Sequence, residues 1–413
     1  MTQVARLIDD ANARPEDPFA GQDSGASVRS LAATRIGLTN FRSYARAELP
    51  IDALPVVLAG ANGTGKTNLL EAISLLSPGR GLRAAKLAAI QRKAPADTAT
   101  PRQDVFADSL WAVSATISRP DGAWEIGTGL LPGNLNAPPR RTLHLNGAPA
   151  MSADLAELVP MLWLTPAMDR LFLEGASERR RFLDRLVFAL DPAHAKRAAR
   201  YERAMHERLR LLRDGVRDRV WLDGLEESMA TDGAAVTAAR LSVIDNLNAE
   251  LETRGVEGAF PCAHLALQDG LGDTATDPAR LQSALSDARM RDSESGRTTA
   301  GPHLSDLEVR HTVKRSDARD CSTGEQKALL ISIVLANAWL QKRRHDGIAP
   351  LLLLDEIAAH LDINRRAALF EEILALDCQA WLTGTDRNLF APLEGRAGFF
   401  SIEAGQFVQR ERA

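Results

Sequence analysis

Ahead of the first glycine-rich stretch, apolar and polar residues alternate at a strand's period. The pattern predicts strands over 35–41, 45–51 and 56–59, with the turn-like Arg42-Ser43-Tyr44 between the first two. Residues 68–76 switch to helical spacing. Pro95, Pro101 and many small polar residues make 92–108 a loop. Strands return over 110–118, 124–130 and 141–145, punctuated by Pro120-Asp121-Gly122 and Asn146-Gly147. Past Pro166 the character changes: 177–219 and 234–254 read as charge-dense helices, with Gly215 and Gly224 as interruptions and Gly255 as a stop. Residues 268–300 mix loop and helix. A strand over 307–313, turns over 316–322 and an apolar helix over 326–340 follow. The order closes with a strand at 351–354, a helix at 365–376, a strand at 380–383 and a hairpin over 399–410. The first 33 residues are polar and aperiodic, as a flexible tail would be.

Strands alternating with helices at both ends imply an α/β core containing parallel strands. The helical middle reads as an insertion with room for short antiparallel arms, and without the heptads of a long coiled coil. The expected division is a tail over 1–33, a head over 34–160, an inserted lobe over 161–297, and the rest of the head over 298–413.

Two motifs give that layout its chemistry. Gly60-Ala61-Asn62-Gly63-Thr64-Gly65-Lys66-Thr67 runs from a strand into a helix, the context a phosphate-binding loop requires. Its glycines let backbone N–H groups converge on phosphates, and the helix adds its positive end. Lys66 is expected to reach the β and γ phosphates of ATP, Thr67 to ligate Mg²⁺, and Asn68 to flank the site. The complementary motif begins about 290 residues later as Leu351-Leu352-Leu353-Leu354-Asp355-Glu356. Four leucines suit a strand buried on both faces. Asp355 at its end would hold the Mg²⁺ shell, and Glu356 would orient the attacking water. Between the two, Cys321-Ser322-Thr323-Gly324-Glu325-Gln326-Lys327 opens the apolar helix and offers a further anion site.

Composition narrows the partners. Net charge is -4, so any nucleic-acid surface must be local. Residues 177–219 carry thirteen Lys or Arg against seven Asp or Glu, an excess of 13 − 7 = 6 positive charges. Arg197, Arg200, Arg208 and Arg219 are candidates there for backbone-directed duplex contact, while Arg179, Arg180 and Arg181 serve equally well as ion-pair partners within the lobe. Sparse aromatics disfavour base stacking on single strands. Three scattered cysteines, no apolar run of roughly 20 residues and no signal-peptide core suit a cytoplasmic protein.

The order of motifs resembles the ATP-binding-cassette superfamily. Ser322 and Gly324 match its signature, and Glu325 stands where SMC-type ATPases also carry Glu. Asp362, in His360-Leu361-Asp362, matches the D-loop. Thr385, in Thr383-Gly384-Thr385-Asp386, takes the place of the transporters' switch histidine. Gln91 is a candidate Q-loop residue, and Arg42 a candidate for approaching the nucleotide. The match narrows to the RecF family on Leu38-Thr39-Asn40-Phe41-Arg42-Ser43-Tyr44, Gly79-Arg80-Gly81-Leu82-Arg83, Glu178-Arg179-Arg180-Arg181-Phe182-Leu183-Asp184-Arg185 and Gly301-Pro302-His303-Leu304-Ser305-Asp306-Leu307. That resemblance implies an α/β, ABC-type (SMC-like) P-loop ATPase head with an inserted, mainly helical second lobe. It implies a weak, DNA-stimulated ATPase with ATP and Mg²⁺ as cofactors. The ATP-driven homodimer would clamp double-stranded and gapped DNA, working with RecO, RecR and RecA. The competing readings are a transporter ATPase subunit, an SMC-like head, and an overcoming-lysogenisation-defect nuclease head. The second needs long heptads and the third an acidic nuclease domain, and neither is evident.

Overall fold

The four leucines form strand β12 (Leu351–Leu354), every residue of it buried, as burial on both faces requires. In the computed structural model, which describes residues 30–93, 111–133, 139–216, 218–255, 259–270, 272–403 and 405–409, the chain divides into two compact units. One comprises residues up to Pro166 together with those from Gln341 onward; the other is Ala167–Leu340.

The first unit holds two six-stranded sheets. One is antiparallel, in the order β2-β1-β4-β5-β6-β7, from β1 (Ala32–Phe41), β2 (Tyr44–Pro50), β4 (Ala112–Arg119), β5 (Gly122–Leu131), β6 (Arg140–Leu145) and β7 (Ala148–Pro149). The other runs β15-β14-β3-β13-β12-β8, from β3 (Val56–Ala59), β8 (Met161–Leu164), β13 (Ala380–Gly384), β14 (Gly398–Glu403) and β15 (Gln406–Gln409) around β12. All pairings in it are parallel except the terminal β14–β15 hairpin. Strand β13 therefore lies between β3, which feeds the glycine loop, and β12, which ends in the two carboxylates. Helices α1 (Lys66–Ser74) and α2 (Ser152–Leu158) also belong to this unit.

The second unit contains α3 (Ala176–Phe188), α4 (His194–Arg213), α5 (Arg219–Gly255), α6 (Pro278–Asp287) and α7 (Arg289–Ser295). It also holds an antiparallel sheet β11-β10-β9 of Ala263–Gln268 (β9), Asp306–His311 (β10) and Ser316–Asp317 (β11). Helix α8 (Thr323–Arg344) starts in this unit and ends in the first; α9 (Ile363–Leu376) lies in the first.

Several expectations are corrected. The units part at Pro166 and Leu340 rather than at 160 and 297, because β8 pairs with β12 as a strand of the head sheet. Residues 298–340, signature included, thus belong to the second unit. Residues 30–33 are buried rather than tail: the Gln379 amide accepts from the Ala33 N–H and donates to the Ala33 carbonyl, both at 2.9 Å. Gly224 interrupts nothing and lies inside α5, whereas Gly215 does sit in a break, at φ 70°. The tail over 1–29, the loop over 94–108, Leu110 and Arg410 lie outside the described residues.

Candidate nucleotide-binding site

The glycine loop links β3 to α1, with Gly63 at φ 82° and Gly65 at φ 114°, backbone that L side chains rarely adopt. Gly65 is also hemmed in: a Cβ there would come within 2.8 Å of the Tyr44 hydroxyl and 2.9 Å of the Ser43 hydroxyl. Tyr44 is fully buried, stacks on Phe407, and donates to the Gly65 carbonyl at 2.9 Å. Asn68 donates to Ser43 at 3.0 Å. The Arg42-Ser43-Tyr44 turn thus holds the loop from beneath, a contribution the motif alone does not reveal.

Lys66 is buried, and its ammonium donates to the carbonyls of Gly60 (2.7 Å) and Ala61 (2.8 Å). Burial pushes this ammonium below the ordinary lysine range, against the opposing pull of Glu356 and Asp355. Arg42 does not turn to the loop. It forms a two-pronged pair with the fully buried Glu71 of α1, at 2.7 and 2.9 Å, and Arg83 adds a third contact to Glu71 at 3.2 Å. Gln91 bridges to Phe41 at the end of β1.

The two halves of the motif meet. Thr67 donates to Asp355 Oδ1 at 3.0 Å, across 288 positions of sequence. Asp355 is buried at the carboxyl end of β12, and Thr383 at the end of β13 donates to the same oxygen at 2.7 Å. The Thr383 hydroxyl also accepts from the Glu356 N–H at 2.9 Å. Glu356 adopts φ 52°, a left-handed conformation uncommon for a residue with a Cβ. A cleft of about 570 Å³ opens at the carboxyl ends of β3, β13 and β14, lined by Gly60, Ala61, Thr64, Thr385, Arg387 and Ser401 among others. Ligands of open parallel sheets bind at these strand ends; this cleft touches the glycine loop at Gly60, Ala61 and Thr64, and its lining does not include Lys66, Thr67 or the two carboxylates. Thr67 and Asp355 present hard oxygen donors on one point, the donor type Mg²⁺ takes, with phosphates and water completing its shell. Thr385 lines the cleft, while Thr383 meets the Asp355 carboxylate and the Glu356 backbone N–H.

In the second unit Ser322 is the N-cap of α8. Its backbone N–H and its hydroxyl both donate to the Glu325 carboxylate, at 3.1 and 2.9 Å, and the helix starts three residues earlier than the apolar pattern suggests. Glu325 also pairs with Lys314, and these partners hold its carboxyl down at about 2. Ser322 and Gly324 are exposed. Asp362, in the first unit, caps α9 through the Arg365 N–H at 2.9 Å.

The expected DNA arginines separate. Arg208 is fully buried, with ion pairs to Glu226 (2.8 Å) and Asp292 (2.7 Å) and a hydrogen bond to the Leu285 carbonyl (2.6 Å), so it is structural. Arg197 pairs with Asp191 at 2.6 Å, and Arg200 with the buried Asp232. Arg219 is exposed at the start of α5. Arg179 pairs with Asp306 at 2.6 Å and Arg180 donates to the Ser305 carbonyl at 2.7 Å, tying the 178–185 motif to the 301–307 motif; Arg181 pairs with Glu178 on the surface. Lys196, Arg203 and Arg210 are also exposed on α4, and their seven-residue spacing puts them on one stripe.

A glycine loop and a carboxylate pair joined across one parallel sheet, with a second unit inserted between them in sequence, define a P-loop ATPase head of the SMC type. The chain matches the family described as RecF/RecN/SMC N terminal domain over residues 32–406. It is 48% identical over 389 residues to the DNA replication and repair protein RecF of Mesorhizobium japonicum, covering 92% of this chain and 98% of that one. Identity is also 48%, over 384 residues and the same shares, with the RecF of Agrobacterium fabrum. A solved structure of the recombination mediator protein RecF-ATPrS in the RecFOR pathway superposes with a TM-score of 0.78 at 21% identity, over 93% of this chain and 100% of that one. An Smc head domain from Pyrococcus furiosus shares the fold more loosely, with a TM-score of 0.52 at 16% identity over 92% and 96% of the two chains. The chain belongs to the RecF family.

Proposed function

We propose that this protein is an ATP-gated clamp on double-stranded DNA, acting in replication and recombinational repair near gaps. The observation that carries the reading is the Thr67–Asp355 contact, which joins the phosphate loop to the carboxylate pair. ATP binds along Gly60–Thr67, with Lys66 on the β and γ phosphates. Thr67 and Asp355 hold Mg²⁺, which when bound neutralises phosphate charge. Glu356 orients the attacking water as catalytic residue, and in-line transfer of the γ-phosphoryl group to that water gives ADP and phosphate.

The signature of one copy, the exposed Ser322 and Gly324 with the half-buried Glu325, caps the nucleotide of a second copy, and Asp362 approaches it from the D-loop. The N-terminus of a helix, with its positive dipole end, suits a γ-phosphate. ATP therefore drives homodimerisation, and slow hydrolysis releases it. On DNA, the burial of Arg208 and the ion pairs of Arg197 and Arg200 move the contact face to Lys196, Arg203 and Arg210, with Arg219 beyond them. In the cytoplasm the clamp works with RecO and RecR in loading RecA, as the family's members in the RecFOR pathway suggest.

Lys66→Ala tests the nucleotide assignment. It is expected to abolish ATP binding and ATP-dependent dimerisation in sedimentation experiments; a dimer that still forms on ATP removes the assignment. ATPase activity that responds to duplex DNA and not to membrane fractions separates the clamp from a transporter subunit.

A further inference from the structure

Thr385 takes the place of the switch histidine in the sequence, yet the side chain that reaches the Asp355 carboxylate and the Glu356 backbone is Thr383. Strand β13 lies between β3 and β12, so the residue at its carboxyl end is delivered between the phosphate loop and the Asp-Glu pair. Thr383 is buried there. A hydroxyl has one proton, and this one is committed to Asp355 Oδ1 at 2.7 Å. Its lone pair is thereby aimed at the Glu356 N–H, 2.9 Å away. Glu356 needs that partner. At φ 52° its backbone sits in a region costly for residues with a Cβ, and such a conformation persists only where its surroundings hold it.

We propose that Thr383 is the positioning residue that fixes the backbone of Glu356 and ties it to Asp355, taking over the part of the missing switch histidine. The inference rests on the assignment of Glu356 as the water-orienting carboxylate. A continuous chain results, Thr67 to Asp355 to Thr383 to Glu356, running from the phosphate loop to the group that aims the water. Without the hydroxyl, the Glu356 N–H loses its acceptor, the left-handed backbone relaxes, and the carboxylate swings off the line of attack. Lys66 and the glycine loop are untouched, so ATP still binds.

The test compares Thr383→Val and Thr383→Ser in the full chain, each alone and with Glu356→Gln, reading steady-state ATP turnover and the affinity for a fluorescent ATP analogue. Thr383→Val is expected to lower kcat by about 100-fold, the scale of a misplaced catalytic group. Analogue affinity and KM stay within about threefold, because transition-state positioning and not binding is lost. Thr383→Ser, which keeps the hydroxyl, restores kcat to within about threefold of wild type. Combined with Glu356→Gln, Thr383→Val lowers the residual rate no further, since no carboxylate remains to be aimed. Should Thr383→Val not fold, Thr383→Ala removes the same hydroxyl and carries the same expectations. The proposal is overturned by wild-type turnover in Thr383→Val, by an equal loss of nucleotide affinity, by a serine no better than valine, or by a full further loss on Glu356→Gln. Wild-type turnover in Glu356→Gln alone identifies the assignment of Glu356 as the failing step instead.

Discussion

Replacing Arg208 with leucine removes a guanidinium whose charged partners, Glu226 and Asp292, are at most 1% exposed. Neither carboxylate is wholly stranded. Glu226 keeps Arg289 at 2.9 Å, and Asp292 keeps the Thr299 N–H at 2.9 Å and hydroxyl at 2.7 Å. The Leu285 carbonyl, however, loses its donor. Breaking a buried ion pair from one side costs about 3–5 kcal/mol, and the surviving partners place this case near the lower end, about 3 kcal/mol. In a unit of this size that corresponds to a fall in Tm of about 10 °C. The assay is thermal and urea unfolding, with duplex affinity measured as a function of salt below the lowered transition. Adding Asp292→Asn should return part of the loss, because the uncompensated charge is then gone. The reasoning is refuted if Arg208→Leu melts with wild-type Tm while DNA affinity falls, for then Arg208 faces DNA.

Charge reversal of Lys196, Arg203 and Arg210 together should weaken duplex binding and flatten its dependence on salt, leaving Tm near wild type; unchanged affinity and slope place the DNA face elsewhere. His303 gives a pH prediction. Burial holds its pKa below the usual value, and the neutral ring is engaged on both sides, by Tyr201 at 2.6 Å and the Thr298 carbonyl at 2.9 Å. The unfolded chain therefore takes up the proton first, so this contribution to stability is full above about pH 6.5 and falls with acidification, by at most about 1.4 kcal/mol per pH unit. The stability gap between wild type and His303→Gln should narrow from pH 7.5 to 5.5; a constant gap contradicts the argument. Tyr44→Phe keeps the ring against Phe407 but strips the donor from the Gly65 carbonyl, at a cost of about 1 kcal/mol. Weaker ATP-analogue binding is the expected result, and wild-type affinity would show that the hydroxyl does not shape the loop.

The parts of the head legible from residues alone were those written as local patterns. Strands β3 and β12 fall where the apolar runs put them, because a strand buried on both faces shows itself in a few consecutive residues. Helix α5 was harder. Gly224 looked like a break, but its Cβ position meets open space and the helix absorbs the modest cost of glycine. Strand β9 is six residues long with irregular burial, too short for its period to stand out. The fate of the arginines was beyond local reading, since Arg208 is neutralised by partners 18 and 84 positions away. Thr383 escaped for the same reason: its importance comes from lying between two strands that the sequence separates by some 290 residues.

The central claim is that ATP closes two copies of this chain on duplex DNA and that Glu356 reopens them. Sedimentation of Glu356→Gln with ATP, Mg²⁺ and a duplex oligonucleotide tests it most directly. The account predicts a stable DNA-bound dimer that wild type forms only transiently, and that Ser322→Arg in the same background prevents. A Glu356→Gln chain that binds ATP yet remains monomeric on DNA would contradict it.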